Sequence, residues 1–329
     1  MADNVNSHYF HAEAHALTGK LELPFKEEIK KQAFVKLEGK LAELSNEQRN
    51  YFSQHAKNFR LEGIISYAAA HTQVSGHESK KHKGASVTLA TSVVEDLNVL
   101  NVVTADRVVA QISTTHFPNQ YSPEVTFLGT HFENLRIARH KAEPYLKLDM
   151  ASARPVGKDA THVGQGKGLM DAVEGQYGKL KKWLDGLGDE DRQGMRSASP
   201  DGSLTNKYYG GSPNYNEIKA QVAAAQAEDA KSGTGKSDGI TCSLVENVEI
   251  KDISVKDAAG ESIHLRPPAN SCGHVIHIPD FGTIFLAELT VNHNSFHLTM
   301  IRLELGCIAD GDVSLVSCNV NGKGSAGGP

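Results

Sequence analysis

The sequence predicts a mainly β protein, an antiparallel β-sandwich or barrel-like domain with an α-helical insertion. Segments rich in Val, Ile and Thr alternate apolar and polar residues, and turn residues separate them at intervals of roughly 8–12 residues. This pattern disappears between 151 and 238 and then resumes. We therefore predict a first β block over 1–150, a helical and loop insertion over 151–238, a second β block over 239–321 that completes the same domain, and a flexible tail over 322–329.

The first β block contains several predicted strands. The alternation over 60–74 predicts one ribbon with four residues on one side, namely Leu61, Ile65, Tyr67 and Ala69. The alternation over 86–94 predicts a strand with four residues on one face, namely Val87, Leu89, Thr91 and Val93. Further strands are predicted at 107–114, 124–129 and 132–137. The Lys- and Glu-rich stretch 25–58 is predicted to be a long connection with a helical turn near 46–52.

The middle block carries two helical patterns. Leu169, Val173, Tyr177, Leu180 and Leu184 recur every three or four residues, which predicts an amphipathic helix over 168–184. An Ala-rich segment over 214–230 predicts a second helix. The sequence 232–237 imitates the end of a phosphate-binding loop, but it follows a helix and lacks the first Gly, so we interpret it as a linker.

The second β block supplies further predicted strands, at 240–250, 273–278, 283–291, 296–306 and 313–320, with a hairpin turn at 279–282. The four cysteines, Cys242, Cys272, Cys307 and Cys318, have no metal-ligand spacing. They are interpreted as core thiols, with one disulfide as the alternative.

Two groups of residues are candidate binding sites. His11, Glu13 and His15 share one face of a predicted strand, so neighbouring members could chelate a divalent metal ion, with a third His from elsewhere. Tyr208, Tyr209 and Tyr215 lie in a Gly- and Ser-rich loop that could contact a glycan or a protein. We identify no catalytic residue, because the sequence has no nucleophile elbow and no recognisable pair of glycosidase carboxylates.

Composition narrows the partners and the location. The chain has 34 Lys and Arg against 39 Asp and Glu, a net charge of −5, which argues against a nucleic-acid binder that relies on a basic surface. No apolar run approaches the ~20 residues of a membrane helix. The N-terminus has no secretory pattern, so a cytoplasmic protein is the default expectation, or a surface protein if another export route is used.

Two stretches of sequence resemble a known family. The first is 90–110 with Phe132–Ile137, and the second is 277–289 leading into 299–305. Both are similar to bacterial surface-type β proteins of the choice-of-anchor P family, over about a third of the chain. The resemblance implies an extracellular-type β scaffold and supplies no catalytic residue.

These observations favour a non-enzymatic structural, self-assembling or adhesive protein of bacterial type. Its expected partner is a second copy of the chain, in a homo-oligomer or filament, because Thr-, Ser- and Val-rich strands with exposed edges are templates for pairing. Two alternatives stay open. One is a metal-dependent enzyme or small-molecule binder in a β-barrel, built on His11, Glu13 and His15, and the other is a carbohydrate-binding module.

Overall fold

The structure, a computed structural model, describes residues 8–40, 50–117, 123–151, 167–188, 240–256, 262–292, 295–306 and 309–321. In this part of the chain the predicted fold class is confirmed. Strands dominate, two large antiparallel sheets pack face to face as a sandwich, and one helix lies between the two β blocks along the chain.

The described elements before residue 240 are β1 (Tyr9–Leu23), β2 (Glu27–Gln32), β3 (Val35–Lys40), β4 (Tyr51–Leu61), β5 (Ile65–Glu78), β6 (Ser86–Val99), β7 (Val103–His116), β8 (Glu124–Thr126), β9 (His131–Glu133), β10 (Arg136–Ile137), β11 (His140–Leu146) and α1 (Lys167–Gly186). Those after it are β12 (Ile240–Ser243), β13 (Val245–Ile250), β14 (Ile253–Lys256), β15 (Ser262–Leu265), β16 (Asn270–Cys272), β17 (Val275–Ile278), β18 (Gly282–Asn292), β19 (Ser295–Leu305) and β20 (Asp310–Asn321).

Both sheets combine strands from the two β blocks. Sheet A has the order β16-β17-β18-β19-β20-β1-β2, with β12 paired to β18 and β3 paired to β1. Sheet B has the order β13-β11-β10-β7-β6-β5-β4, with β8 and β9 beside β7. Among the described strands, β14 and β15 pair with each other and with no other strand, as a separate two-stranded ribbon.

The prediction for 25–58 was wrong in the described residues. Instead of a long connection, this stretch holds β2, β3 and most of β4, and Tyr51 and Phe52 are strand residues rather than part of a helical turn. Most side chains of β2 and β4 are exposed. Strands at a sheet edge tolerate charge on both faces, so they lack the alternation that identifies a strand in sequence.

The single ribbon predicted over 60–74 is also wrong. The chain turns at Glu62 and Gly63, both with positive φ, so β4 ends at Leu61 and β5 begins at Ile65. Ile65 and Tyr67 are buried together, as expected, but Ala69 is not on their buried face, because burial moves to Ala70.

Small side chains form the contact between the sheets at β1 and β6. Ala12, Ala14 and Ala90 are fully buried there, and the Ser92 hydroxyl donates to the carbonyl oxygen of His15 at 2.9 Å. The residues of β6 that were predicted to share a face, such as Val87 and Leu89, do share it, but it is the outward face. Thr88 and Ser92 point into the sandwich instead.

A crease crosses sheet A where one residue on each of four strands leaves the pairing ladder. These residues are Ala16, Ala287, Met300 and Val316, and all four are fully buried. Ala287 and Val316 adopt left-handed conformations, with φ of 48° and 57°. Because each strand skips one residue at the crease, the pairing register is kept, but the residues that face the core change from even-numbered to odd-numbered positions or the reverse. Along β19, Leu298 faces the core before the crease and Ile301 faces it after the crease.

Sheet B has a corresponding crease at Asn58, Ala68, Asp96 and Asp106. Asn58 and Asp96 have φ of 55° and 52°, a conformation that Asn and Asp tolerate better than most residues. Both of these residues are exposed to solvent. Two creases thus let long strands keep an apolar face on one core along their length.

The helix α1 confirms the amphipathic pattern predicted over 168–184. Leu169, Val173, Tyr177 and Leu180 are buried, and Leu184 is partly buried. The second predicted helix, over 214–230, and the tail lie outside the described residues. Within the described part of the chain, no helix combines the length and the apolar character that crossing a membrane would require.

Three cysteines are described, and each is a free thiol. Cys242 and Cys318 are buried in the core, as expected for core thiols, and burial raises the pKa of Cys242 to about 12. The predicted alternative of one disulfide is not found among these three cysteines, and Cys307 lies outside the described residues.

We expect Gly282→Ala to destabilise the fold by about 3 kcal/mol or more. Gly282 has φ of 123°, and an added Cβ would overlap the backbone carbonyl oxygen of Glu304 on β19. Gly175→Ala is the matched control, because Gly175 is an exposed position on α1 with open space around it, and it should stabilise by about 0.5–1 kcal/mol. Urea unfolding of both variants measures this, and equal effects would contradict the packing described.

Candidate functional site

The predicted metal-binding residues lie on the outer face of sheet A, on β1. The Nε2 atom of His11 is 3.9 Å from Oε1 of Glu13. The Glu13 carboxylate is also within 3.2 Å of the Lys31 ammonium on β2 and 3.6 Å of the Lys36 ammonium on β3. Burial acts to raise the pKa of Glu13, but Lys31, His11 and Lys36 together hold it below its ordinary value. Two lysines therefore already neutralise the carboxylate that a metal ion would need.

His15 occupies a more buried position on the same face. Its side chain is 6% exposed, and its Nε2 atom has no hydrogen-bond partner in the described structure. Burial, with a smaller contribution from Lys31, lowers the pKa of His15 to about 4, so the imidazole is neutral at pH 7. On the adjacent strand β20, the buried Oδ1 atom of Asn319 also lacks a partner there.

No group of three or more His, Cys, Asp or Glu side chains in the described ranges is arranged to hold a metal ion. His11, Glu13 and His15 share a face as predicted, but they do not form such a group. Their role in binding a divalent metal stays a prediction. The predicted contact residues Tyr208, Tyr209 and Tyr215 lie outside the described residues.

A charged cluster, formed by Glu288, Arg302 and Glu304, is buried in the centre of the same face. The Arg302 guanidinium donates to both carboxylate oxygens of Glu288, with Nη2 at 2.9 Å, and to Glu304 at 2.5 Å. Its carbon Cζ lies 3.6 Å from the centre of the Phe285 ring, a cation–π contact. The side chains of Arg302 and Glu288 are only 12% and 6% exposed, so this cluster is structural in character rather than an open site.

A cavity of about 570 Å³ lies between α1 and the segments around β11, β12 and β13. Gln176 on α1 fixes one wall, because its amide donates to the Ser243 carbonyl oxygen at 2.8 Å and accepts from the Ser243 N–H at 2.9 Å. The rest of the lining combines apolar residues, such as Met150 and Leu244, with five charged residues, namely Lys147, Asp149, Asp171, Lys179 and Glu246. The volume suits a small ligand.

The strand β4 forms one edge of sheet B and is unusually long for an edge. It pairs with β5 over eleven residues, and among the described strands none pairs with its other side. Tyr51 and Phe52 at its start are 49% and 40% exposed. β3 lies close to part of β4 without pairing with it. The backbone N–H and C=O groups on this side of β4 can pair with a strand from another chain.

The ribbon β14–β15 follows directly after β13, which forms the opposite edge of sheet B. Its register places Ile253 opposite Leu265 and Val255 opposite Ile263. Every residue of β15 is exposed, with Ile263 and Leu265 each at 48%. The ribbon therefore presents aliphatic residues to water, and no third strand in the described part of the chain pairs with it.

Sequence reasoning identified neither the ribbon nor the β4 edge. The alternation of Ile253 to Lys256 and of Ser262 to Leu265 was a usable signal for the ribbon, although each run has only four residues. The cluster around Arg302 had no such signal, because its members become neighbours only through the pairing of β18 with β19.

Comparison with known proteins places most of the chain in a family. The model of a family described as "Domain of unknown function (DUF8256)" matches residues 8–292, which is most of the chain. No curated protein and no solved structure matches this sequence. The matched region ends at Asn292, before β19 and β20, which separate β18 from β1 in sheet A.

We expect Arg302→Met to lower the unfolding free energy by about 3–5 kcal/mol, because it leaves Glu288 as a buried charge without its bidentate partner. Lys181→Met is the control, since it breaks an exposed pair with Asp185 and should cost no more than about 0.5 kcal/mol. Chemical unfolding measures both. A cost for Arg302→Met as small as the control's would show that the cluster does not stabilise the fold.

A second prediction concerns His15 and pH. The imidazole takes up its proton near pH 6.5 in the unfolded chain but only near pH 4 in the folded protein, so folding stability falls as the pH drops between these values. Between about pH 7 and pH 4.5, we expect His15→Gln to lose about 2 kcal/mol less than the original chain. Urea unfolding at several pH values tests this, with exposed His131→Gln as control. Identical pH profiles for His15→Gln and the original chain would contradict it.

Proposed function

We propose that this chain, which belongs to the DUF8256 family, is a non-enzymatic structural protein that assembles head to tail with copies of itself. The observation that carries the proposal is the difference between the two edges of sheet B. A ribbon with exposed aliphatic residues, β14–β15, follows the strand at one edge. The long strand β4 forms the other edge, and among the described strands it pairs on one side alone, with β5.

The ribbon has a physical reason to bind a partner. An isolated two-stranded hairpin is marginally stable in water and needs a third strand or a packing surface. Ile263 and Leu265 each expose about half of their surface. Full burial of such a side chain contributes about 1.5–3 kcal/mol relative to exposure, so covering the pair favours association.

The strand β4 offers what the ribbon lacks. Its free side can accept backbone hydrogen bonds along an incoming strand, and the exposed rings of Tyr51 and Phe52 can cover aliphatic side chains. Symmetric pairing of β4 with β4 is less favourable. An antiparallel pair would bring Lys57 and Arg60 of both copies onto one two-stranded ribbon, and β4 contains no carboxylate to balance these charges.

The ribbon and β4 of one chain cannot satisfy each other. The ribbon follows β13 at one edge of sheet B, and β4 forms the opposite edge, so six strand spacings of about 4.8 Å separate β13 from β4 by about 29 Å. Pairing must therefore join two copies through different surfaces. Such heterologous contacts produce a ring when the rotation closes and an open filament when it does not.

A second candidate function is the binding of a small polar molecule, which the charged cavity beside α1 favours. This function requires no self-association. It therefore predicts a chain that is monomeric and stays so when either edge of sheet B is altered.

Paired variants test the assembly. The donor variant Ile263→Asp/Leu265→Asp removes the apolar ribbon face, and the acceptor variant Tyr51→Lys/Phe52→Lys removes the aromatic end of β4. Measured by size-exclusion chromatography with light scattering, we expect the original chain to assemble with concentration and each variant to elute at the 35.5 kDa chain mass. An equal mixture of the two variants retains one intact donor and one intact acceptor, so it should form a dimer and nothing larger.

The controls are His264→Asp on the polar face of the same ribbon and Leu128→Asp, which changes an exposed apolar residue distant in sequence from both segments. Both should assemble like the original chain. An original chain that stays at 35.5 kDa at every concentration, or a variant mixture that stays monomeric, would refute head-to-tail assembly.

A further inference from the structure

His116, the last residue of β7, is buried inside the end of the sandwich without polar partners. Its side chain is 4% exposed, and neither Nδ1 nor Nε2 has a hydrogen-bond partner in the described structure. A buried imidazole with both nitrogens unpaired is rare, since buried polar groups are almost always paired with protein, water or an ion. We therefore expect a polar group or an ion to contact the His116 imidazole.

A second imidazole lies against it. The ring centres of His116 and His8 are 4.5 Å apart, with 43° between the ring planes. His8 immediately precedes β1 of sheet A, whereas His116 belongs to β7 of sheet B. The His8 ring also lies nearly perpendicular to the ring of buried Phe10, with ring centres 4.7 Å apart, and this contact holds it against the core.

We propose that His8 and His116 bind one transition-metal ion of the zinc class, which joins the two sheets at this end of the sandwich. Zinc binds imidazole nitrogen at about 2.0–2.1 Å, which holds the centres of two rings on one tetrahedral ion roughly 5 Å apart. The observed separation is close to this value. The remaining positions on the ion are left for water or other oxygen ligands.

Both imidazoles are in the form that binds metal. Burial lowers the pKa of His8 to about 4, and burial together with His8 lowers the pKa of His116 to about 3. Burial therefore favours the neutral form of each ring, which is the form of histidine that binds a metal ion.

The other close histidine pair shows why ring orientation matters. His55 and His71 lie opposite each other on β4 and β5, with ring centres 4.4 Å apart, but their planes are within 19° of parallel. Ring nitrogens direct their lone pairs within the ring plane, so stacked rings do not converge on a shared ion. The tilted pair at His8 and His116 is the better candidate.

The test uses the full chain, cleared of metal with a chelator and then titrated with Zn²⁺ by calorimetry, with thermal unfolding measured in parallel. We expect the original chain to bind one Zn²⁺ more than His116→Leu does, and saturation to raise its Tm by about 5 °C. The His116→Leu variant places an apolar side chain at the buried position, so it should fold. The His8→Gln variant removes the second proposed ligand and leaves His116 in place. His11→Gln and His55→Gln should keep both the extra ion and the rise in Tm.

Co²⁺ provides an independent measurement, because its visible absorption reports imidazole coordination. We expect the band to be present in the original chain and in His11→Gln, and to be lost in His8→Gln and His116→Leu. Equal Zn²⁺ stoichiometry in the original chain and His116→Leu, or no binding by the original chain, would overturn the proposal. Neither result depends on self-assembly, because both can be measured on the ribbon variant Ile263→Asp/Leu265→Asp.

Discussion

The sandwich depends on strands that keep an apolar face on a shared core for up to fifteen residues. A long twisted strand does this here by changing, part-way along, which alternate residues face the core. The change occurs at the creases through Val316 in sheet A and Asp96 in sheet B. The left-handed conformation of buried Val316 costs free energy, which the surrounding core must offset. Which residues face inwards, and hence which polar groups are buried, follows from where the creases lie.

The edges of the sheets explain where the molecule can interact. In sheet A one edge is β16, with three residues, and the other includes β2, whose sequence Glu-Glu-Ile-Lys-Lys-Gln is mostly charged. Short and charged edges resist pairing with other chains. In sheet B the edge strand β4 is longer, and Lys57 and Arg60 are its two Lys or Arg residues among eleven, while an exposed aliphatic ribbon lies beyond the other edge. This difference between the two sheets is the reason for proposing assembly through sheet B. The proposed interface is therefore distinct from the outer face of sheet A, where the buried polar side chains lie.

Much of the fold could be predicted from the sequence. Alternation identified the long central strands, and apolar spacing identified the buried face of α1, including Val173 and Tyr177. Charged edge strands such as β2 escaped because they lack alternation, and the creases escaped because nothing in the local sequence marks Val316 as left-handed. The site was harder to predict. His15 and Glu13 do share a face, but the lysines that neutralise Glu13 come from other strands, and only the pairing of β1 with β2 and β3 reveals them.

Amide hydrogen exchange measured as a function of protein concentration tests the central claim most directly. If the ribbon of one copy adds to the β4 edge of another, protection must rise with concentration in both segments, Ile253–Leu265 and Tyr51–Leu61, with the same midpoint. The buried strands β6 and β7 should exchange at the same rate throughout. Exchange in either segment that does not change with concentration, while the chain nevertheless assembles, would contradict pairing between these two edges.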